Sequence, residues 1–281
     1  MIFDERRCEL GEGPLWHPIR EQLFWFDITN RKLLSQDAAG ALDWDLPQMV
    51  SAAGWIDENR LIIAGENGLS LFDITSGSLT LLAEVEADRP ENRSNDGRAD
   101  PQGGFWFSTM GKGEEPGAGA IYRYYRGEIR KIFSNITIPN AICFPPQGNF
   151  AHFADTFTGK VMKVTLDAEG WPNAAPEVFL DLTGEGLNPD GAVIDAAGIM
   201  WLAQWGAGRV AAYGPDGAFL RAVYFATVHT SCPAFAGDLL YCTTAQQGLS
   251  AQDRLDQPQA GKVLRARNVA QGQSEHQVIL G

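Results

Sequence analysis

The chain has 281 residues and a formal net charge of −13, from 22 Lys and Arg against 35 Asp and Glu. A surface that acidic repels phosphate backbones and anionic headgroups, which argues against nucleic-acid and membrane partners. Hydrophobic residues make up 44%, enough for a sizeable core, and 31 Gly, 15 Pro, 15 Phe and 8 Trp suggest short strands and tight turns rather than long helices.

The first residues, Met-Ile-Phe-Asp-Glu-Arg-Arg, carry no apolar run, so no signal peptide is expected, and no stretch is apolar for long enough to span a bilayer. A cytoplasmic protein is the expectation. Cys8, Cys143, Cys232 and Cys242 form neither a C-x-x-C pair nor a zinc-finger spacing. A Cys232–Cys242 disulfide is conceivable, but scattered cysteines in a chain this long point to reduced, buried thiols.

Along the chain one unit recurs: a turn with Asp, Pro or Gly, an alternating aromatic strand, a second turn and another strand. The copies begin with WHPIREQLFWFDITNRKLLSQD (residues 16–37) and WIDENRLIIAGENGLSLFD (55–73). The third is ADPQGGFWFSTMG (99–111) continuing into GAIYRYYRGEIRKIF (119–133), and the fourth runs from FPPQGNFAHFADT onward (144–170). The fifth covers residues 194–223, and the sixth, DLLYCTTAQQGLS with AGKVLRAR, is the least regular. A period of roughly 40 to 50 residues is that of four-stranded propeller blades. The expectation is one all-β domain over residues 1–281, a six-bladed β-propeller with antiparallel blades, whose first and last strands join in one blade. A closed ring of this kind is expected to be a monomer.

Aligning the turns places four polar residues at one phase. Asp190, Asn140 and Asn95 each stand five residues before a turn (Asp195–Gly198, Pro145–Gly148, Asp100–Gly103), and Glu12 stands five before His17-Pro18. Blade two would put a small residue near Ala52 there, and blade six resists alignment. Taken singly, Asn95-Asp96-Gly97 and Asn188-Pro189-Asp190-Gly191 read as ordinary turns, and Glu12 as a loop acid. Their shared phase instead predicts four side chains converging on one mouth of the axial channel. Carboxylate and amide oxygens are hard ligands suited to Ca²⁺, Mg²⁺ or Mn²⁺, with no His or Cys to suggest an ordinary zinc site. The histidines His17, His152, His229 and His276 fall outside this phase and read as structural. Trp16, Trp106 and Trp201 read as packing between blades, while Trp205 could wall a pocket.

These residues lie in blocks that resemble the gluconolactonase / regucalcin (senescence marker protein) family, most closely its bacterial aldonolactonases. The blocks are LGEGPLWHP, NRSNDGRADPQGGFWFSTM, IPNAICFPPQGNFAHFADT and NPDGAVIDAAGIMWLAQWGAGRV, with TTAQQGLSAQDRLDQPQAGKVLR near the end. The resemblance implies a six-bladed propeller that hydrolyses a sugar lactone, with one divalent ion on Glu12, Asn140 and Asp190. Calcium, zinc, manganese and iron(II) all remain candidates for that ion. It further implies that Arg93 and Asn95 bind the substrate, that Glu114 or Glu115 reaches it, with Glu115 preferred, and that Asp190 acts as general base. A hydroxide held by the ion is the alternative base. Two other readings stand beside it: a metal-binding propeller with an interaction role, and a hydrolase of another ester.

Overall fold

Turn chemistry sets the blade corners. Asp100 Oδ1 accepts from the backbone N–H groups of Gln102 and Gly104 (2.9 and 2.8 Å), and Asp195 Oδ1 from those of Ala197 and Ile199 (2.9 and 3.0 Å). A side chain that satisfies its own turn in this way is the reason Asp recurs there. Between such corners 24 strands form six four-stranded antiparallel sheets around one axis, a six-bladed β-propeller in the computed structural model, which describes residues 1–281.

The innermost strands are Gly11–His17, Val50–Trp55, Asn92–Ala99, Pro139–Cys143, Asn188–Ile194 and Thr230–Ala236, each packed against the next and the last against the first. Aromatic residues fill the space between blades. Trp106 meets Phe144 edge-on at 5.4 Å, Trp201 meets Phe235 edge-on at 5.9 Å, and Trp16 stacks on Tyr241 at 6.0 Å. All three are contacts between neighbouring blades, as the alternating pattern anticipates. Each such pair contributes about 0.5–1.5 kcal/mol beyond its buried area.

The sixth blade takes its outermost strand from the opposite end of the chain: Ile2–Asp4 pairs with Val263–Ala266, Ile2 opposite Leu264 and Asp4 opposite Val263. Inside this blade the chain makes a short helix, Ala251–Asp256, that the repeat does not announce. Ser250 and Asp253 form its capping box, and Arg254 pins it to both carboxylate oxygens of Glu9 (2.9 and 2.7 Å). After Val263–Ala266 the remaining chain crosses the mouth of the channel at the C-terminal ends of the inner strands. Gln273 Nε2 donates to the carbonyls of Phe144 and Ile194, the Val278 and Ile279 N–H groups donate to Trp55 and Gly103, and Glu275 pairs with Arg98.

No helix is long and apolar enough to cross a membrane. The four cysteines are buried and unpaired, Cys232 and Cys242 included.

Between blades three and four Arg123 and Asp100 form a fully buried ion pair, Nε to Oδ2 2.6 Å, with the guanidinium in the corner of the perpendicular Tyr125 and Trp171 rings, 4.5 and 4.3 Å from their centroids. Removing one partner leaves a desolvated charge. Arg123→Met is therefore expected to lower unfolding free energy by about 3–5 kcal/mol, read as a fall in the urea midpoint; an unchanged midpoint would show that the pair carries no net stability.

Candidate active site

Every inner strand breaks register at the same level of the propeller: Glu12/Leu15, Val50/Ala52, Ser94/Gly97, Asn140/Cys143, Pro189/Ala192 and Thr230/Pro233. A bulge re-aims side chains that regular pleating would turn into the sheet. Glu12, Asn95, Asn140 and Asp190 all sit at or within these breaks. The segments Asn95-Asp96-Gly97 and Asn188-Pro189-Asp190-Gly191 are thus inner strands with bulges, not the free turns their composition suggests. In blade two the break falls on Ser51, one residue before the Ala52 position expected, and Ser51 Oγ donates to Ser94 Oγ at 2.7 Å. In blade six it falls on Ser231 and Cys232, where Ser231 Oγ donates to the Gly11 carbonyl. These two hydroxyls are spent on the walls.

The strand entering the site is clamped from the side in two blades. Asp27, ending the second strand of blade one, accepts from the Glu9 and Leu10 N–H groups (3.0 and 3.2 Å); Asp155 does the same in blade four for Thr137 and Ile138 (both 3.0 Å). This fixes the backbone just upstream of Glu12 and Asn140. The residues after Glu12 and Asp190 must be glycine. Gly13 has φ +53, and a Cβ there would overlap the Ser51 carbonyl oxygen; a Cβ on Gly191 would strike Cys232.

Together these elements line a cavity of about 360 Å³ open at the N-terminal ends of the inner strands, with Glu12, Arg93, Asn95, Asn140 and Asp190 on its wall. Burial and the charge of Asp96 beneath push the Glu12 carboxyl up to about 8. Burial, then the charges of Glu12 and Asp96, push Asp190 well above the ordinary carboxylate range. Arg93 is the one cation on this wall; burial pulls its guanidinium down, opposed by Glu12, Glu114 and Asp190, and it stays charged. Its Nη1 donates to Asn95 Oδ1 and the Ser94 carbonyl, both at 2.8 Å.

The amide of Asn140 is oriented by its neighbours. Thr156 Oγ1 donates to the Pro189 carbonyl at 2.6 Å, so it can only accept from Asn140 Nδ2, at 2.8 Å. Asn140 Oδ1 is thereby turned into the cavity, where Asn95 Nδ2 donates to it at a long 3.2 Å. Two carboxylates that repel each other, Asp190 buried and Glu12 half-buried, and one oriented amide oxygen form a set of hard donors whose negative charge the single Arg93 cation does not balance. No three His, Cys, Asp or Glu side chains come together anywhere in the fold, so the candidate donors here are two carboxylates and an amide. The donor set fits an oxygen-preferring divalent cation.

Of the two glutamates in the loop after Phe105–Gly111, Glu114 lines the cavity and Glu115 does not. Glu114 is held at φ +58, which turns consecutive side chains apart, and Glu115 Oε2 folds back to accept from the Gly113 N–H at 3.2 Å. The cavity wall therefore holds Glu114 and not the preferred Glu115. Glu114→Gln is expected to raise KM about tenfold or more, the value of one hydrogen bond to a charged group, with Glu115→Gln within about twofold of the parent; the reverse order would return the role to Glu115.

Sequence reading passes over several wall residues: Thr156, Phe157, Gln247 and Asn188. The first three, with Trp205 and Met110, follow or close the second strand of a blade, and antiparallel geometry returns every second strand to the mouth where the first began. That second phase of the repeat is the signal that finds them.

A family model described as "SMP-30/Gluconolactonase/LRE-like region" matches residues 10–246. A Rhizobium meliloti (strain 1021) protein provisionally named sugar lactone lactonase is 40% identical over 97% of this chain and 95% of its own. The L-arabinolactonase of Azospirillum brasilense is 33% identical over 95% of this chain and 91% of its own. A crystal structure from Agrobacterium tumefaciens str. C58, described as a calcium-binding protein, regucalcin, superposes with TM-score 0.97 at 40% identity, covering 99% of this chain and 97% of that one. A propeller matched over nearly its whole length, with the bulged polar ring inside the matched region, belongs to the SMP-30/gluconolactonase/LRE-like family.

Proposed function

We propose that this protein hydrolyses a sugar lactone to its aldonic acid, at a divalent cation held by Glu12, Asn140 and Asp190. The observation that carries the reading is the convergence of two charge-deficient carboxylates and one oriented amide oxygen beside a hydrogen-bonding wall of Arg93, Asn95 and Glu114. The names of the relatives from Rhizobium and Azospirillum support the same class of reaction. The regucalcin relative's description supports a divalent ion.

A divalent ion bound there supplies Lewis-acid polarisation of a carbonyl and charge for the oxyanion. The chain's own residues do the rest. Asp190, a carboxylate on the cavity wall, takes a proton from the attacking water at a carboxylate oxygen. The tetrahedral adduct then collapses, the ring C–O bond breaks, and the departing oxygen becomes the sugar hydroxyl by taking the proton that Asp190 holds. Arg93 offers a fixed fork of donors to sugar hydroxyls, and Glu114 offers an acceptor. Thr156 keeps the Asn140 oxygen, rather than its NH₂, toward the reaction centre.

The reading is tested with metal-stripped protein assayed on glucono-, xylono-, galactono- and arabinonolactone, before and after single divalent ions are restored. Restoration of activity by an ion supports it. No rate above spontaneous opening with any ion would overturn it and leave a non-catalytic binding propeller.

A further inference from the structure

Blade three presents the polar residues Arg93, Asn95 and Glu114 to the cavity, and the side across the axis is of a different kind. There Trp205, the last residue of Met200–Trp205, lines the cavity where blades five and six meet. Its indole stacks on the His229 imidazole with centroids 4.1 Å apart and planes 10° from parallel, a closer and flatter pair than any other aromatic pair in the molecule.

Trp205 also packs against the core cluster that holds Leu10 and Ala245, so its place on the wall is fixed from two sides. His229 belongs to the connection into blade six, and its backbone is already fixed, its carbonyl accepting from the Ala245 N–H at 3.1 Å. Its Nδ1 is buried without a hydrogen-bond partner. Burial pulls the imidazole below its ordinary value, so at neutral pH the ring is an uncharged aromatic plate. The imidazole's broad contact is thus with the indole face, and that contact is the geometry a support for the indole requires. Asn188 Nδ2 donates to the Trp205 carbonyl at 3.3 Å, holding the backbone as well.

A sugar lactone has two unlike aspects: hydroxyl edges that need hydrogen bonds, and a ring face of C–H groups that packs on aromatic surface. Resting on the lactone reading above, we propose that Trp205 is the platform for the C–H face of the sugar ring, and that His229 is a positioning residue that holds the indole flat. The hydroxyl edges then fall toward Arg93, Asn95 and Glu114. The platform contributes binding in ground state and transition state alike, so its loss raises KM and spares kcat.

The experiment is steady-state kinetics of ion-restored Trp205→Ala, Trp205→Phe, His229→Ala and His229→Phe on the aldonolactone the parent turns over best. Titration calorimetry with the aldonic acid product accompanies it. Trp205→Ala is expected to raise KM and product Kd about tenfold with kcat within about twofold, and His229→Ala about threefold, both recovered in part by the Phe variants, which keep an aromatic plate. Melting temperature checks that each variant is folded. Unchanged KM and Kd in folded Trp205→Ala, or a His229→Phe no better than His229→Ala, would overturn the platform. Absence of turnover in the parent would instead sink the lactonase reading. In that case the tenfold loss of Kd still supports the platform, and failure of the parent to bind the aldonate overturns both.

Discussion

Asp190→Asn is expected to lower kcat for lactone opening by about a thousandfold or more and, in metal-free protein, to raise the melting temperature. The two effects have one cause. Asp190 is 6% exposed, beside Glu12 and above Asp96, so its charge costs the fold stability when no cation is present. Asn keeps the shape, removes the charge and relieves Glu12. The same change removes the base that accepts the water's proton and weakens the grip on the ion, so the variant should gain little thermal stability when a divalent ion is added. Loss of activity with an unchanged ion response would confine Asp190 to proton transfer. Retained activity would remove it from the mechanism.

The ion should also reveal itself in how stability depends on pH. Glu12 and Asp190 hold protons more tightly folded than unfolded. The unfolded chain therefore releases them first as pH rises through the ordinary carboxylate range. The stability this pair contributes falls from there until pH passes about 8 for Glu12 and then levels off. Four histidines held neutral by burial push the other way across the acid side of neutrality: His17, His152, His229 and His276. The pair is accordingly read as a difference. Metal-free wild type minus Glu12→Gln should lose melting temperature between pH 5 and pH 8. A divalent ion competes with those protons, so its stabilisation should grow over the same interval, reaching about 5–10 °C at an ion concentration near a hundred times Kd. A gain independent of pH, or undiminished in Glu12→Gln, would place the ion elsewhere.

Blade count, antiparallel sheets and the joining of first and last strands all followed from turn spacing and aromatic alternation. The repeat also marked Glu12, Asn95, Asn140 and Asp190 as equivalent before any of them could be seen to share a cavity. It did not mark the inner strands themselves. Asn92–Ala99 reads NRSNDGRA, without hydrophobic alternation, because its polar groups are satisfied by neighbouring blades: Asp96 Oδ2 accepts from the Ile142 N–H at 2.7 Å, and Ser94 Oγ is tied to Ser51 and to the Ala64 carbonyl. Such bonds join residues far apart in sequence and leave no local pattern. Glu114 and Glu115 were inseparable for a related reason: their difference lies in one positive φ within a loop. His229 looked like a buried structural imidazole, and only its parallel contact with Trp205 connects it to the cavity wall.

The pairing of Ile2–Asp4 with Val263–Ala266 has a consequence for synthesis. The first strand of the fold waits for the last, while blades one to five are complete in sequence and free to form in order. Until the sixth closes, the flanks of blades one and six lack each other: Trp16 has no Tyr241, and Leu10 no Ala245. A nascent chain or C-terminally truncated fragment thus exposes apolar blade flank for most of its production, a state open to aggregation and chaperone capture. On the proposed function it would also lack chemistry, because Glu12 is carried by blade one and Asp190 by blade five, and only the closed circle holds them in one cavity. Closure of the sixth blade and assembly of the polar cavity are, for this molecule, the same event.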